Sequence, residues 1–302
     1  MRWDLMGFAL VLALLTGCGR ADPPPGGLPG PEKKLLIGLI PEQNIFKQVE
    51  RYTPLAEYLS GKLGRQVELK VLTRYGNIVD NFVNLRMDGA FFGSFSYALA
   101  QRKLGLRVLA RPEWLDGSSS YHGLIFTRRD SGIRTVRDMR DKRFALVDQA
   151  TTAGYLLPLV YFRQKGILNH KLYLKEVYFA GTHEDAILDV LNRKADIGAA
   201  KNTVLERMAR TDPRIGQELR ILERSPDVPE NALAARQDLA GGLQDRLRSL
   251  LLAMDEEEAG RTVLQGFGAR RFIPTTDREY EPVFAYAREI RLDLSRYEYR
   301  NE

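Results

Sequence analysis

The stretch from Phe144 to Phe162, FALVDQATTAGYLLPLVYF, guides the interpretation of the whole chain. A short apolar run, FALV, is followed by the polar loop Asp148 to Gly154, and an aromatic-rich apolar segment starts at Tyr155. This order predicts a strand, a tight turn and the N-terminus of a helix. The unpaired N–H groups of such a helix end, together with the hydroxyls of Thr151 and Thr152, suit an oxyanion. The alternative is that one threonine only caps the helix.

The length of the chain predicts two domains or two lobes, because 302 residues exceed the size of one typical domain. A hydrophobic content of 44% with 28% charged residues is typical of a globular protein with a sizeable core. The formal net charge is +6, but basic and acidic residues are interleaved along the chain. Since no basic stripe or nucleic-acid-binding motif is present, we expect no nucleic-acid partner.

Residues 1–17 resemble a bacterial lipoprotein signal peptide. Arg2 precedes an apolar run from Leu5 to Leu15 that is too short to span a bilayer, and LTGC ends at Cys18. The resemblance implies cleavage before Cys18 and attachment of lipid to its sulfur. The alternative is a buried cysteine after an ordinary apolar segment. Cys18 is the only cysteine, so no intrachain disulfide is possible. Residues 18–33 are rich in proline and glycine and predict a flexible tether.

Strands and helices alternate along most of the remaining sequence. LLIGLI at Leu35 predicts a buried strand, and Ile45 to Leu63 predicts an amphipathic helix that ends at Gly64. The same alternation continues to residue 209, which favours a parallel sheet flanked by helices. TVRDM (135–139) is predicted as an amphipathic segment, and the chain beyond residue 238 as mainly helical with a break at 267–277.

Polar residues follow several of the predicted strands. In open α/β sheets, ligands bind at the carboxyl ends of the strands. The residues that fall at this edge are Glu42, Gln43, Asn44, Ser94, Ser96, Tyr97, Ser118 to Tyr121, Thr151, Thr152, Thr182, His183, Lys201 and Asn202. Because the set is rich in hydroxyls and comes from both halves of the chain, it predicts a ligand cleft between two lobes.

Several of these stretches resemble the phosphate, phosphite and phosphonate substrate-binding proteins of ABC transporters. The resemblance is carried by IGLIPEQNIFKQVERYTPLAEYL, YGNIVDNF, DGAFFGSFSYALA, SSSYHGLIF, VDQATTAGYLLPL and AGTHEDAILDVLNRKADIGAAKN. It implies a two-lobed α/β fold of the type II periplasmic-binding-protein class, with two crossover strands between the lobes. We expect residues 34–121 and 225–302 in lobe I and residues 122–224 in lobe II.

The resemblance also implies which residues hold the ligand. By position, Ser119, Ser120, the backbone of Tyr121, Thr151 and Thr152 match the groups that hold the phosphorus oxygens. The further members of the predicted ligand-binding set are Tyr97, His183, Ser94, Asn44, Lys201 and Asn202. His183 is expected to be a neutral hydrogen-bond donor or an exposed helix residue.

Lys201 departs from the pattern of those members that bind aminophosphonates, in which an acidic residue follows the corresponding strand. A lysine there would repel a ligand amine and favour a dianion. We therefore expect phosphate, phosphite or a simple phosphonate as ligand, and not a 2-aminoalkyl phosphonate. Two alternatives stay open. Glu42, Asp148 or Glu184 supplies the missing carboxylate, or Lys201 points to solvent.

The expected function is that of an extracytoplasmic solute-binding lipoprotein that delivers a small phosphorus oxyanion to an ABC transporter permease. We expect a monomer, anchored to a membrane through Cys18, without enzymatic activity, cofactor or metal. A metal site is disfavoured because the chain has three histidines and one cysteine. One alternative is a sensor subunit for a membrane signalling kinase. Another is an enzyme on the same scaffold, which would need a nucleophile or an acid/base pair in the cleft.

Overall fold

Two β-sheets, joined by a short ribbon, organise the protein in the computed structural model, which describes residues 34–75, 77–239 and 242–299. The strands are β1 Leu35–Leu39, β2 Val67–Val71, β3 Gly89–Phe92, β4 Arg107–Trp114, β5 Ser120–Tyr121, β6 Gly123–Arg128, β7 Arg143–Leu146, β8 Glu176–Phe179, β9 Ile197–Lys201, β10 Leu219–Arg224, β11 Val228–Pro229, β12 Ala232–Ala235 and β13 Ala269–Pro274. The predicted signal peptide, tether and Cys18 lie outside the described residues.

Helices pack against both sheets. They are α1 Ile45–Leu63, α2 Asn77–Asn84, α3 Ser94–Leu104, α4 Leu157–Gln164, α5 His170–Tyr173, α6 His183–Leu191, α7 Asn202–Ala209, α8 Arg214–Glu218, α9 Leu243–Leu252, α10 Glu258–Phe267 and α11 Glu281–Glu289. Short 3-10 turns span Val136–Met139, Met254–Glu256 and Asp277–Tyr280, and a π-helical turn spans Thr152–Leu156.

The first sheet has six strands in the order β13-β4-β12-β3-β1-β2. β1 runs parallel to β2 and β3, whereas β12 runs antiparallel to both β3 and β4, and β13 antiparallel to β4. Leu35, Ile37 and Leu39 of β1 pack with Tyr52 of α1 and Phe267 of α10 in one buried cluster. This sheet and its helices form the first lobe.

The second sheet has five strands in the order β10-β6-β9-β7-β8. β7 runs parallel to β8 and β9, while β6 is antiparallel to β9 and β10. Phe144 and Leu146 of β7 pack with Ile197 and Ala199 of β9 and with Phe162 of α4. We call this sheet with its helices the second lobe.

An antiparallel ribbon of β5 and β11 connects the lobes, since each of its strands lies between a strand of one sheet and a strand of the other. The predicted two-lobed α/β architecture with two crossover strands is therefore confirmed. The exact residue limits of the lobes stay a prediction.

Most local predictions are confirmed. α1 spans the predicted residues, begins after Asn44, whose side chain accepts from Phe46 N, and ends at Gly64, which has a left-handed φ of 65°. The predicted parallel arrangement is confirmed for β1 to β3 and for β7 to β9, whereas β6, β12 and β13 pair antiparallel with their neighbours. The expected helix break at 267–277 is largely strand β13, and TVRDM forms a 3-10 turn.

Candidate functional site

The stretch from Phe144 to Phe162 folds in the predicted order of strand, turn and helix. β7 ends at Leu146, a tight turn follows, and the helix begins with a π-helical turn at Thr152. The Asp148 carbonyl accepts from the N–H of Thr151 at 3.1 Å and from its hydroxyl at 2.7 Å. A Cβ on Gly154 would lie 2.3 Å from Cγ2 of Val147, so only glycine lets the turn fold back this closely.

The turn forms one wall of a small cavity between the lobes, here called the inner cavity. Its volume is about 10 Å³. The second lobe contributes Ala150, Thr151, Thr152, His183 and Lys201. A cavity of this volume holds about one water, so a tetrahedral anion can enter only if the lobes move apart.

The opposite wall of the inner cavity comes from the first lobe and the ribbon. It is formed by Ile40, Glu42, Tyr75, Gly93, Tyr121 and Asn231. The backbone N–H of Phe95, at the N-terminal end of α3, donates to Oγ1 of Thr152 at 3.0 Å, so the two walls touch directly. The Thr152 hydroxyl also lies in hydrogen-bond range of the Tyr121 hydroxyl.

Two buried donors of the inner cavity have no hydrogen-bond partner. They are the hydroxyl of Tyr75 and Nδ2 of Asn231, both in residues that are less than a tenth exposed. Burial and the nearby carboxylate of Glu42 raise the pKa of Tyr75 well above its usual value, so the hydroxyl stays protonated. An unsatisfied buried donor costs about 1–3 kcal/mol. Both groups are therefore arranged to donate to an acceptor that enters the cavity.

Lys201 ends β9 and lies between three side chains of the first lobe. Its Nζ donates to Glu42 Oε1 at 2.9 Å, to Glu230 Oε2 at 2.5 Å and to Asn231 Oδ1 at 3.3 Å. Nζ also lies 4.4 Å from the centre of the Tyr121 ring, in cation–π range. Lys201 is only 3% exposed, so the alternative in which it points to solvent is excluded.

These contacts oppose the effect of burial on the pKa values of Lys201 and Glu42. Burial alone would raise the pKa of Glu42, but the attraction of the Lys201 ammonium lowers it to about 2. Burial alone would lower the pKa of Lys201, but the carboxylates of Glu230 and Glu42 raise it. Lys201, Glu42 and Glu230 form the Lys201 cluster, which bridges the lobes.

His183 begins α6 and is buried against the same cavity. Its Nδ1 accepts from the backbone N–H of Lys201 at 3.2 Å, which leaves Nε2 as the protonated nitrogen. Burial lowers the pKa of His183 to about 3. The side chain is therefore a neutral donor, in line with the first of the two sequence-based expectations.

The structure places six other predicted residues away from the lining of the inner cavity. Each of them is engaged in hydrogen bonds with other protein groups or lies in or beside the ribbon. They are Ser94, Ser119, Ser120, Tyr97, Asn44 and Asn202. Tyr97, for instance, donates to Asp277 and packs on Tyr280 with ring centres 4.5 Å apart. Ser94 donates to the carbonyl of Pro229 at 2.6 Å. Their ligand-binding roles stay predictions.

Sequence reasoning missed Tyr75, Glu230 and Asn231. Tyr75 follows β2, so the rule of polar residues after strands would have identified it. Glu230 and Asn231 precede β12, and the antiparallel return of that strand brings Asn231 to the cavity and Glu230 to Lys201. The periodicity of the sequence does not predict this antiparallel pairing.

The described residues contain neither a membrane-spanning helix nor a cluster of metal ligands. Across the described residues, no helix combines the length and apolar character needed to cross a membrane. In the same part of the chain, no three histidine, cysteine, aspartate or glutamate side chains come together as a metal-ion site requires.

Known proteins resemble most of the described part of the chain. The sequence model of the family described as "ABC transporter, phosphonate, periplasmic substrate-binding protein" matches residues 37–280. The phosphonates-binding periplasmic protein of Escherichia coli is 25% identical over a stretch that covers 83% of this chain and 75% of the length of that protein. The phosphate-import protein PhnD of Mycolicibacterium smegmatis is 24% identical over 91% and 92% of the two chains.

A solved structure shows the same fold. PhnD1 from Prochlorococcus marinus, in complex with methylphosphonate, superposes with a TM-score of 0.76 at 23% sequence identity. The superposition covers 86% of this chain and 98% of that one.

Proposed function

The chain belongs to the family of periplasmic substrate-binding proteins of phosphonate ABC transporters, and from this premise we propose that its ligand is phosphate, phosphite or a simple phosphonate. The protein captures its ligand outside the cytoplasm for delivery to a transporter. Similar proteins are named for phosphonates and for phosphate, and one is solved with methylphosphonate. These names support a phosphorus oxyanion as the ligand class.

The observation that carries the proposal is the pair of unpartnered donors in the inner cavity. Tyr75 and Asn231 each present a buried donor without an acceptor, and they line the same cavity as Thr151, Thr152 and His183. Apart from Thr151, whose hydroxyl proton goes to the Asp148 carbonyl, these side chains are uncharged donors. A tetrahedral oxyanion with several acceptor oxygens satisfies such a set, and neutral donors allow release when the lobes separate.

The Lys201 cluster favours ligands without an amine. Glu42 is a carboxylate that the sequence offered for pairing with a ligand ammonium, but Lys201 already pairs with it and with Glu230. A ligand amine would have to displace the lysine from these carboxylates, because both already accept from its ammonium group. We therefore infer that 2-aminoalkyl phosphonates bind more weakly than methylphosphonate.

The finer cellular assignments belong to the same proposal. Cleavage before Cys18 and lipid attachment there would hold the protein at a membrane, with residues 18–33 as the tether. The protein works as a monomer and performs no chemical reaction on its ligand. The binding-protein family supports the last point, because its members are transport components.

A thermal-shift screen tests the ligand class. Phosphate, phosphite, methylphosphonate and 2-aminoethylphosphonate are compared at matched ionic strength, with sodium chloride as control. A ligand that binds only the native form raises the unfolding free energy by about 2.7 kcal/mol at one hundred times its dissociation constant. We expect a clear shift with at least one of the first three. The absence of any shift, or the largest shift with 2-aminoethylphosphonate, would contradict the proposal.

A further inference from the structure

A second and larger cavity, here called the outer groove, shares Lys201 and Glu42 with the inner cavity. Its volume is about 450 Å³, within the range of about 300–1,000 Å³ that is usual for small-molecule sites. The first lobe supplies part of α1, the end of β4 and the C-terminal end of α10, and the second lobe supplies α7. The groove therefore lies in the cleft between the lobes.

Two residues of the outer groove contain buried donors without a partner. They are Nη2 of Arg207 and Nε1 of Trp114. Burial lowers the pKa of Arg207, yet the ordinary pKa of a guanidinium is so high that the group stays charged. A buried cationic donor and a buried indole N–H without acceptors are costly in the protein alone. An oxyanion group in the groove would supply the missing acceptors.

Arg51 is another cation of the outer groove, and it lies against two aromatic rings. Nε of Arg51 donates to the carbonyl of Phe267 at 2.8 Å, and its guanidinium lies 4.8 Å from the Trp114 ring centre and 4.7 Å from that of Phe267. Basic side chains outnumber acidic ones in the lining, with Lys47, Arg51, Lys201, Arg207 and Arg210 against Glu42, Glu50, Asp116 and Glu206. The groove thus places the guanidinium groups of Arg51 and Arg207 in the same lining as the indole ring of Trp114.

We propose that the outer groove binds an organic molecule that carries an oxyanion group, either carboxylate or phosphoryl. The oxyanion accepts from Arg207 and Trp114, and the organic part lies against Trp114 and the exposed side chain of Leu115. This site is separate from the inner cavity, because Lys201, held by Glu42 and Glu230, stands between them. The inference does not depend on which ligand the inner cavity takes.

Fluorescence of Trp114 provides a direct test. The chain contains two tryptophans, so Trp3→Phe in the full chain leaves Trp114 as the only one. Phenylphosphonate and benzoate are the probes, and they distinguish phosphoryl from carboxylate. At least one should change the emission in a saturable manner. Arg207→Gln should weaken that binding by about tenfold or more, since a charge-assisted hydrogen bond is lost.

Three further variants make the result specific. Arg137→Gln removes the same charge from an exposed residue that does not line the groove, and Thr151→Val/Thr152→Val alters the inner cavity; both should leave probe binding unchanged. Trp114→Phe, followed by calorimetry, keeps a ring and removes the N–H, and it should also weaken binding. The proposal is overturned if neither probe binds, if Arg207→Gln and Trp114→Phe bind normally, or if the inner-cavity variant alone abolishes binding.

Discussion

Replacing Lys201 with alanine would leave the carboxylates of Glu42 and Glu230 buried without their cation. Lys201 is 3% exposed and donates to both, so the pair is broken inside the protein and not at its surface. Removing one partner of a buried ion pair costs about 3–5 kcal/mol. We expect the unfolding free energy at pH 7, measured with urea, to fall by that amount.

Lys47→Ala is the matched control. Lys47 also pairs with a residue of the second lobe, Glu184 at 3.1 Å, but its side chain is 64% exposed. Such a pair contributes about 0–1 kcal/mol. A similar loss in both variants would refute the argument that burial sets the cost.

The Lys201→Ala variant should also accept a ligand amine. The space and the two carboxylates that the lysine leaves can take an ammonium group, so 2-aminoethylphosphonate should stabilise the variant more than methylphosphonate does. In the wild type we expect the reverse order. Acid should reduce the cost of the substitution. The stabilisation of ionised Glu42 is present above its unfolded pKa of 4.5 and is lost as the pH falls through about 2. If the variant shows no preference for the amine, Lys201 does not determine specificity.

Three other predictions concern binding, pH and the membrane. Thr151→Val/Thr152→Val should abolish ligand binding in calorimetry while circular dichroism stays unchanged; the unfolding free energy should drop by about 1–3 kcal/mol, because Phe95 N–H loses its acceptor. Retained binding would exclude the threonines as ligand donors. His183 has a folded pKa of about 3 against 6.5 unfolded, so stability falls as the pH drops from 6.5 towards 3, by about 2 kcal/mol at pH 5 relative to pH 7. His183→Asn should remove this part of the pH dependence, and identical pH profiles would refute the neutral buried state. Cys18→Ser should move the protein from the membrane to the soluble fraction of cells, whereas unchanged fractionation would contradict lipid attachment.

Much of the fold follows from local patterns in the sequence. The apolar periodicity of residues 45–63 and the left-handed glycine at 64 fix α1, and short apolar runs between polar turns fix most strands. What the patterns do not contain is strand direction. β12 and β6 look like other buried strands, yet they run antiparallel because the chain crosses between the lobes through the ribbon.

The same limit applies to the site. Thr151, Thr152, His183 and Lys201 were identified because each directly follows a strand or its turn. Of the partners of Lys201, Glu42 is identified by the same rule, whereas Glu230 is not, because it precedes a strand and its contact with Lys201 depends on tertiary packing. The sequence contains a lysine in place of an acidic residue, but only the structure shows that this lysine pairs with two carboxylates.

Calorimetry on Tyr75→Phe tests the central claim most directly. The Tyr75 hydroxyl is a buried donor without a partner, so its removal should not destabilise the protein and should relieve part of a cost of about 1–3 kcal/mol. The same change removes a donor to the bound anion, and the affinity for phosphate, phosphite or methylphosphonate should fall about tenfold or more. Unchanged affinity in Tyr75→Phe, or no binding of these anions by the wild type, would contradict the account.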